Sequence, residues 1–261
     1  MYFYFYDTFL TGKKYTAAIS NIETRLIHLG LQGRIEHCSL LKNADELILD
    51  GIKKGAKNIV AVGNDVTFYQ VLKTVVEYDV TIGFIPVGRR SNFARALGIP
   101  MNEAACDVLS KRVIEKIDLG KINGEYFFSA LRMESKDVSL ECDGQYKVRL
   151  GENCRELAVC NMGSFAEGRD VRAEDVHNLK DGLLEAVIYH RSGWSWMSRF
   201  RRHEATRRDG VTVLPVRRLR ISAKDKSARV IADGQRILKT PALVEVVPKK
   251  LRIIVGKDRM F

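Results

Sequence analysis

Proline is scarce in this chain, at 5 of 261 residues, and its 20 glycines follow no period, which excludes collagen-like and proline-rich architectures. The 5 cysteines (Cys38, Cys106, Cys142, Cys154, Cys160) are odd in number and contain no Cys-x-x-Cys. That spacing argues against a disulfide framework or a zinc ribbon and for a reducing, cytoplasmic compartment. The 5 histidines form no His-x-x-x-His pair, so a histidine metal site is not indicated. No apolar run approaches the ~18–20 residues that cross a bilayer. The opening stretch, Met1–Asp7, lacks a basic region and reaches an acid at Asp7, so it reads as a strand rather than a signal peptide. Neither a GxxxxGK[ST] loop nor a GxGxxG fingerprint occurs, which weakens a dinucleotide oxidoreductase reading.

What the chain does have is a globular composition, 46% hydrophobic and 29% charged. Its length fits one large domain or two ordinary ones, each with a core of its own. Lys and Arg number 43 against 32 Asp and Glu, a net charge of +11. Such a balance favours anionic partners: phosphates, nucleic acid or an acidic membrane face. Charge alone does not choose among them.

The first hundred residues alternate strand and helix. Tyr2–Tyr6 reads as an aromatic strand, and Lys13–Leu29 as a helix with apolar residues at helical spacing, stopped by Gly30. Arg34–Ser39 is a short strand, and Ala44–Lys54 a helix with Asn43 and Glu46 placed as a capping box. Ile59–Gly63 and Val80–Pro86 are continuously apolar, as strands buried on both faces are. Thr67–Tyr78 and Ser91–Leu97 are the helices that follow them. This rhythm is that of βαβ units on a parallel sheet, whose ligands sit beyond the carboxyl ends of the strands. The loops Gly63–Thr67 and Gly88–Ser91 lie at such ends.

After a helix near Asn102–Ser110 the pattern turns to short strands: Val113–Leu119, Glu125–Met133, Asp137–Glu141, Tyr146–Leu150, Leu157–Asn161 and Leu183–Tyr189. Val211–Ile221, Arg229–Ala232, Leu243–Val247 and Leu251–Val255 continue it, with Ser195–Ala205 as the one helical stretch. The expected division is an α/β domain over residues 1–115 and a β-rich domain over 116–261.

Six pieces stand in order: Gly63-Asn-Asp-Val-Thr67, Pro86-Val-Gly-Arg-Arg-Ser-Asn-Phe-Ala-Arg95, Ala96-Leu-Gly-Ile-Pro100, Lys116-Ile-Asp-Leu-Gly-Lys-Ile-Asn-Gly124, Lys180-Asp-Gly-Leu-Leu184 and Asp233-Gly-Gln235. With Asn161-Met-Gly163, they resemble the diacylglycerol kinase catalytic-domain family, which includes bacterial lipid kinases and sphingosine kinases and is distantly related to NAD kinases. The resemblance covers the chain from about residue 58 onward. It implies an N-terminal Rossmann-like parallel α/β domain followed by a β-sandwich domain. It also implies transfer of the ATP γ-phosphoryl group to a lipid hydroxyl of diacylglycerol type, with Mg²⁺. By the resemblance, Gly63, Asn64, Asp65, Thr67, Gly88, Arg89, Arg90 and Ser91 contact nucleotide, and Asp65, Asp233 and Gln235 fall at catalytic positions. Asp181 matches the family's structural magnesium carboxylate, with carbonyls of Asn178 and Leu183 as co-ligands.

The departures carry chemistry too. The family's Gly-Gly-Asp-Gly-Thr has Asn64 and Val66 at two glycine positions here; Asn tolerates left-handed backbone and Val does not. Either the Val66 backbone is ordinary or the loop is reshaped. Arg89-Arg90 replaces a Thr-x pair, and Asp7-Thr-Phe-Leu-Thr-Gly12 stands in place of Asn-Pro-x-Ser-Gly. Gln235 stands where bacterial members carry a Glu taken to be the general base. An amide cannot serve as that base; its loss cripples but need not abolish phosphoryl transfer, with Asp233 the nearest surviving carboxylate to substitute and Asp65 another. Read without the resemblance, Gly63–Thr67 is a strand-to-helix turn with Asp65 as the cap, and Asp233-Gly234 is a hairpin turn.

Arg191–Arg208 holds 6 Arg against one acid, Glu204, interleaved with aromatics. Trp194, Trp196, Arg199, Arg201 and Arg202 there suit an anionic membrane surface, which places the protein at the inner membrane face when it docks. The competing reading is an ordinary helix packed on the β-domain. A non-catalytic kinase fold that binds nucleotide, lipid or protein is the second functional reading. A basic nucleic-acid-binding protein ranks last, and a homodimer stays open.

Overall fold

The structure, a computed structural model, describes residues 1–38, 43–134, 137–163, 178–190, 211–224 and 227–261. It divides into two compact units that interleave along the sequence. The first comprises Met1–Asp118, 165–180 and Pro248–Phe261; the second comprises Leu119–Ser164 and Asp181–Val247. Where the sequence suggests a single line near residue 115, the last 14 residues return to the first unit.

In the first unit β1 (Tyr2–Tyr6), β2 (Gly33–His37), β3 (Asn58–Gly63) and β4 (Thr81–Pro86) form a parallel sheet in the order β2-β1-β3-β4. Helices α1 (Thr16–His28), α2 (Ala44–Lys53), α3 (Asp65–Val75), α4 (Asn92–Ala96) and α5 (Ala104–Lys111) make the crossovers and the layers beyond. Every residue of β3 and β4 is buried, which is why both read as unbroken apolar runs. Phe68, Val71, Leu72 and Val75 give α3 its apolar stripe, and the Phe68 ring lies 5.0 Å from that of Phe84. Close approach of helix to strand is bought with glycine at two places: a Cβ on Gly51 would lie 2.6 Å from the Phe3 ring, and one on Gly83 2.6 Å from Leu109.

The second unit is antiparallel. The strands leading into and through it are β5 (Ile114–Ile122), β6 (Glu125–Phe127), β7 (Ala130–Glu134), β8 (Val138–Cys142), β9 (Tyr146–Arg149) and β10 (Cys154–Cys160). They continue as β11 (Leu184–His190), β12 (Val211–Val216), β13 (Arg218–Ala223), β14 (Arg229–Ala232), β15 (Arg236–Lys239) and β16 (Ala242–Ile254). One layer runs β12-β11-β10-β7-β14-β15 and the other carries β16-β13-β8-β9. Leu131, Met133, Leu157 and Val230 of the first layer meet Leu140, Leu219, Ile221 and Val244 of the second in one core. This is the β-sandwich expected behind the α/β domain.

Four parts of the strand pattern differ from the sequence reading. The run 125–133 is two strands, β6 and β7, separated by the turn at Phe128 and Ser129. The run 211–221 is two strands, β12 and β13, that separate at Arg217. The two runs at 243–247 and 251–255 are a single strand, β16, which continues through Pro248 and a left-handed Lys249 (φ 52°). There the Lys249 N–H donates to Asp118 Oδ1 at 2.7 Å, so the kink is satisfied by a side chain rather than ending the strand. β15 escapes a sequence reading because its burial alternates only between half-buried and exposed. The expected helix Ser195–Ala205, with Trp194, Trp196, Arg199, Arg201 and Arg202, lies outside the described residues.

Candidate functional site

The carboxyl ends of β1, β3 and β4 meet in one hydrogen-bonded cluster. At the end of β3, Asn64 rather than Asp65 is the N-cap of α3, which corrects the sequence expectation. Asn64 Oδ1 accepts the Val66 N–H at 2.9 Å and the Thr67 N–H at 3.2 Å, while Thr67 Oγ1 accepts the Asn64 N–H at 3.0 Å. This reciprocal box satisfies the first turn of the helix. Val66 lies within the helix and is 55% exposed; Asn64 is extended at φ −106°. Neither position uses the left-handed backbone that a glycine would supply, so the Val66 backbone is ordinary.

Thr67 is buried, and its hydroxyl donates to Asp7 Oδ2 at 2.5 Å. Asp7 follows β1; its N–H donates to Val62 O at 3.1 Å, and its Oδ1 accepts the Phe9 N–H at 3.3 Å. Gly63 is required here by space: a Cβ would stand 2.3 Å from Thr67 Oγ1. Asp7 is the residue that sequence reasoning passed over as a site residue. The available signal was topological, because β1 and β3 are adjacent parallel strands and end side by side.

The second loop is tied to the first twice. The Val87 N–H donates to Gly63 O at 2.7 Å, and the Ser91 hydroxyl donates to Asp65 Oδ1. Ser91 Oγ also accepts the Ala94 N–H at 2.8 Å and so caps α4. Burial pushes the Asp65 carboxyl up to about 6, and the Ser91 hydrogen bond works against that rise. Gly88 holds φ 100°, a conformation that favours glycine. Arg89 and Arg90 are exposed beside it. The structure thus links Gly63, Asn64, Asp65, Thr67 and Ser91 through these bonds, with Asp7 on Thr67 and with exposed Arg89 and Arg90 next to Ser91 in the chain.

In the second unit Asp233 sits at the β14–β15 turn with left-handed backbone, φ 49°, followed by Gly234 at φ 70°. Its carboxylate accepts three backbone N–H bonds: Phe128 at 2.8 Å to Oδ2, then Ser129 at 2.7 Å and Ala130 at 3.1 Å to Oδ1. Burial raises its pKa to about 6 against those three bonds and the nearby Arg236 charge. The same turn is braced on its other side, where Asn161 Nδ2 donates to Phe128 O at 2.9 Å and Ser129 Oγ to Gly163 O at 2.5 Å. Asp233 therefore holds the β6–β7 turn, and most of its accepting capacity is committed. Gln235 is exposed on the hairpin, its N–H bonded to Ala232 O at 3.0 Å.

Asp181 is exposed, and its Oδ1 accepts the Leu183 N–H at 3.0 Å in an Asx turn. Glu185 is pushed up to about 7, first by burial and then by the Asp181 charge. A buried carboxyl group that is costly to ionise, with a second carboxylate beside it, suits a hard, oxygen-preferring cation. Among the described residues no three His, Cys, Asp or Glu side chains converge on one point. Such a cation would therefore rest on Asp181, Glu185, backbone carbonyls and water.

A parallel α/β domain whose strand-end loops carry Asp and Thr, joined to a β-sandwich with an Asp-Gly hairpin, defines a class, and comparison with known proteins agrees with it. Residues 2–122 match the model of the diacylglycerol kinase catalytic domain. Residues 103–255 match that of the YegS C-terminal NAD kinase beta sandwich-like domain. The chain belongs to the diacylglycerol kinase catalytic-domain family.

Among its relatives, the diacylglycerol kinase of Bacillus subtilis (strain 168) is 41% identical over 75 residues, 27% of this chain and 25% of that protein. The diacylglycerol kinase of Staphylococcus epidermidis (strain ATCC 35984) is 30% identical over 135 residues, 50% of this chain and 42% of that protein. These matches span less than half the length of either relative. A solved structure of a diacylglycerol kinase from Bacillus anthracis strain Sterne superposes with TM-score 0.79 at 19% identity, covering 98% of this chain and 97% of the other, and shows the shared fold. Among the described residues no helix is long and apolar enough to cross a membrane.

Proposed function

We propose that this protein is a lipid kinase of diacylglycerol type whose catalytic machinery is attenuated. It takes ATP as phosphoryl donor and a lipid hydroxyl as acceptor. The observation that supports this most is the Ser91–Asp65 hydrogen bond, which joins the two strand-end loops into one polar cluster on a kinase-family fold. Asp65 would orient the nucleotide, and Arg89 and Arg90 would neutralise its phosphates by charge-assisted hydrogen bonds. Mg²⁺ when bound supplies charge neutralisation and rigidity, and Asp181 and Glu185 are the residues that would hold it. Gln235 occupies the place of a proton acceptor without being one, and Asp233 is tied to backbone, so proton removal from the acceptor is the weak step. The acceptor lies in a bilayer, and the Arg- and Trp-rich stretch 191–208 is the segment that would meet an anionic surface, on the cytoplasmic side.

Thermal unfolding with and without Mg-ATP, followed by transfer of labelled γ-phosphate to diacylglycerol in anionic vesicles, tests the reading. ATP at about 100 times its Kd adds ~2.7 kcal/mol of stability, and labelled phosphatidate should accumulate slowly. A thermal shift without labelled product would instead favour a fold retained for binding, a reading that the Asn64 cap and Gln235 both motivate.

A further inference from the structure

We propose that Cys154 is a thiol–disulfide exchange site, activated by His190 and selective for small cationic disulfides. The second unit contains an open groove of about 910 Å³, and Cys154 lines it. Cys154 and His190 are register partners on β10 and β11, with Cys154 Sγ 3.7 Å from His190 Nδ1. His190 Nε2 lies 2.9 Å from Thr212 Oγ1 on β12. With Nε2–H donating to that hydroxyl, Nδ1 is left as the acceptor for the thiol proton. Thiol, base and orienting hydroxyl thus come from three adjacent strands, the arrangement that nucleophile activation requires.

The backbone supports this placement. The β10–β11 register shifts between Cys154 and Glu156, and such irregularities re-aim a side chain out of the regular pleat. Of the five thiols, Cys106, Cys142 and Cys160 are buried, and only Cys38 and Cys154 are half-buried. Cys38 serves as an internal reference.

The walls of the groove set the selectivity. Glu134, Asp137, Glu152 and Glu156 line it against Arg132 and Arg155. Arg132 pairs with Glu156 at 2.5 Å, which leaves three carboxylates and one guanidinium among the described lining residues. On a chain of net charge +11 this is a local reversal of sign. It favours a cationic reagent over an anionic one, while His190 Nδ1 stands in contact with the sulfur as proton acceptor. In the exchange the Cys154 proton passes to His190 Nδ1, and the sulfur attacks one sulfur of the incoming disulfide. A new S–S bond forms as the old one breaks, and the departing thiolate takes the proton from His190. Gly234, between Asp233 and Gln235, lines the same groove, so an adduct would lie against the hairpin that carries both.

The test treats the full-length reduced protein with cystamine, a cationic disulfide, or with dithiodipropionate, an anionic one, and follows each cysteine by peptide mass spectrometry. Cystamine should label Cys154 at least ~10-fold faster than Cys38. It should also outpace the anionic reagent at Cys154 by ~10-fold at low ionic strength, a preference that fades near ~1 M salt, where the Debye length is ~3 Å. His190→Gln should slow Cys154 labelling at least ~10-fold and leave Cys38 unchanged. Equal rates at the two cysteines, a preference for the anionic reagent, or indifference to His190→Gln in a folded variant would overturn the proposal. If His190→Gln does not fold, the reagent and salt comparisons on the unaltered protein decide alone.

Discussion

Asn64 offers its amide oxygen to two N–H groups at the start of α3, the groups that a bound phosphate oxygen would otherwise use. A glycine at this position would leave them open; here the chain supplies its own acceptor. Replacing an Asn cap by Gly costs only a few tenths of a kcal/mol. Asn64→Gly should therefore leave the thermal midpoint nearly unchanged while enlarging the stabilisation by Mg-ATP, and a smaller ATP shift would argue against a phosphate seat there. Asp65 makes a separate prediction in pH. Its folded value of about 6 stands above the ordinary 3.8, so the folded chain binds the proton more tightly. Stability present below the ordinary value is then lost as pH rises through about 6. Asp65→Asn should flatten that loss in thermal midpoints measured from pH 4 to 7; an unchanged slope would mean that burial does not set the shift. Asp233→Asn should cost ~1–3 kcal/mol in denaturant unfolding, because one amide oxygen cannot accept bonds on both sides and the new NH₂ would face a backbone N–H.

At the scale of elements, the C-terminal stretch shows how close backbone approach fixes a segment. Within the first unit, Gly256 N–H donates to Leu97 O and Met260 N–H to Ala96 O, both at 2.9 Å. A Cβ on Gly256 would lie 1.7 Å from Gly98 O, and a backbone atom cannot step aside as a side chain can. Gly256→Ala should cost at least ~2 kcal/mol and speed proteolysis after residue 255; a neutral outcome would mean that the tail is not seated there. These contacts were not legible beforehand, whereas the elements they join were. β3 and β4 are unbroken apolar runs because helices cover both faces, and α3 shows its stripe because one side meets the sheet. β15 was silent because an edge strand buries little. β16 looked like two strands because the bond that carries it through Lys249 comes from Asp118, 131 residues away. In the site, Asp65 and Ser91 could be named from the motif, yet their mutual hydrogen bond and the clamp from Asp7 needed the sheet order. Asp233 was visible as a residue, but its commitment to the Phe128–Ala130 backbone was not.

At the scale of the molecule, the fold is that of the diacylglycerol kinase catalytic-domain family, and the proposal of a slowed enzyme turns on chemistry rather than architecture. The α/β unit carries an Asp, a Thr and a pair of arginines at its strand ends, while the β unit carries Gln235 on an exposed hairpin. A general base is worth ~10²–10⁴-fold in rate. The decisive measurement is therefore the turnover of Gln235→Glu beside the unaltered chain, with labelled Mg-ATP and diacylglycerol vesicles at neutral pH. A gain of at least ~10²-fold is expected, with the ATP-induced thermal shift unchanged. Equal turnover of the two proteins, or none from either despite bound ATP, would contradict the account.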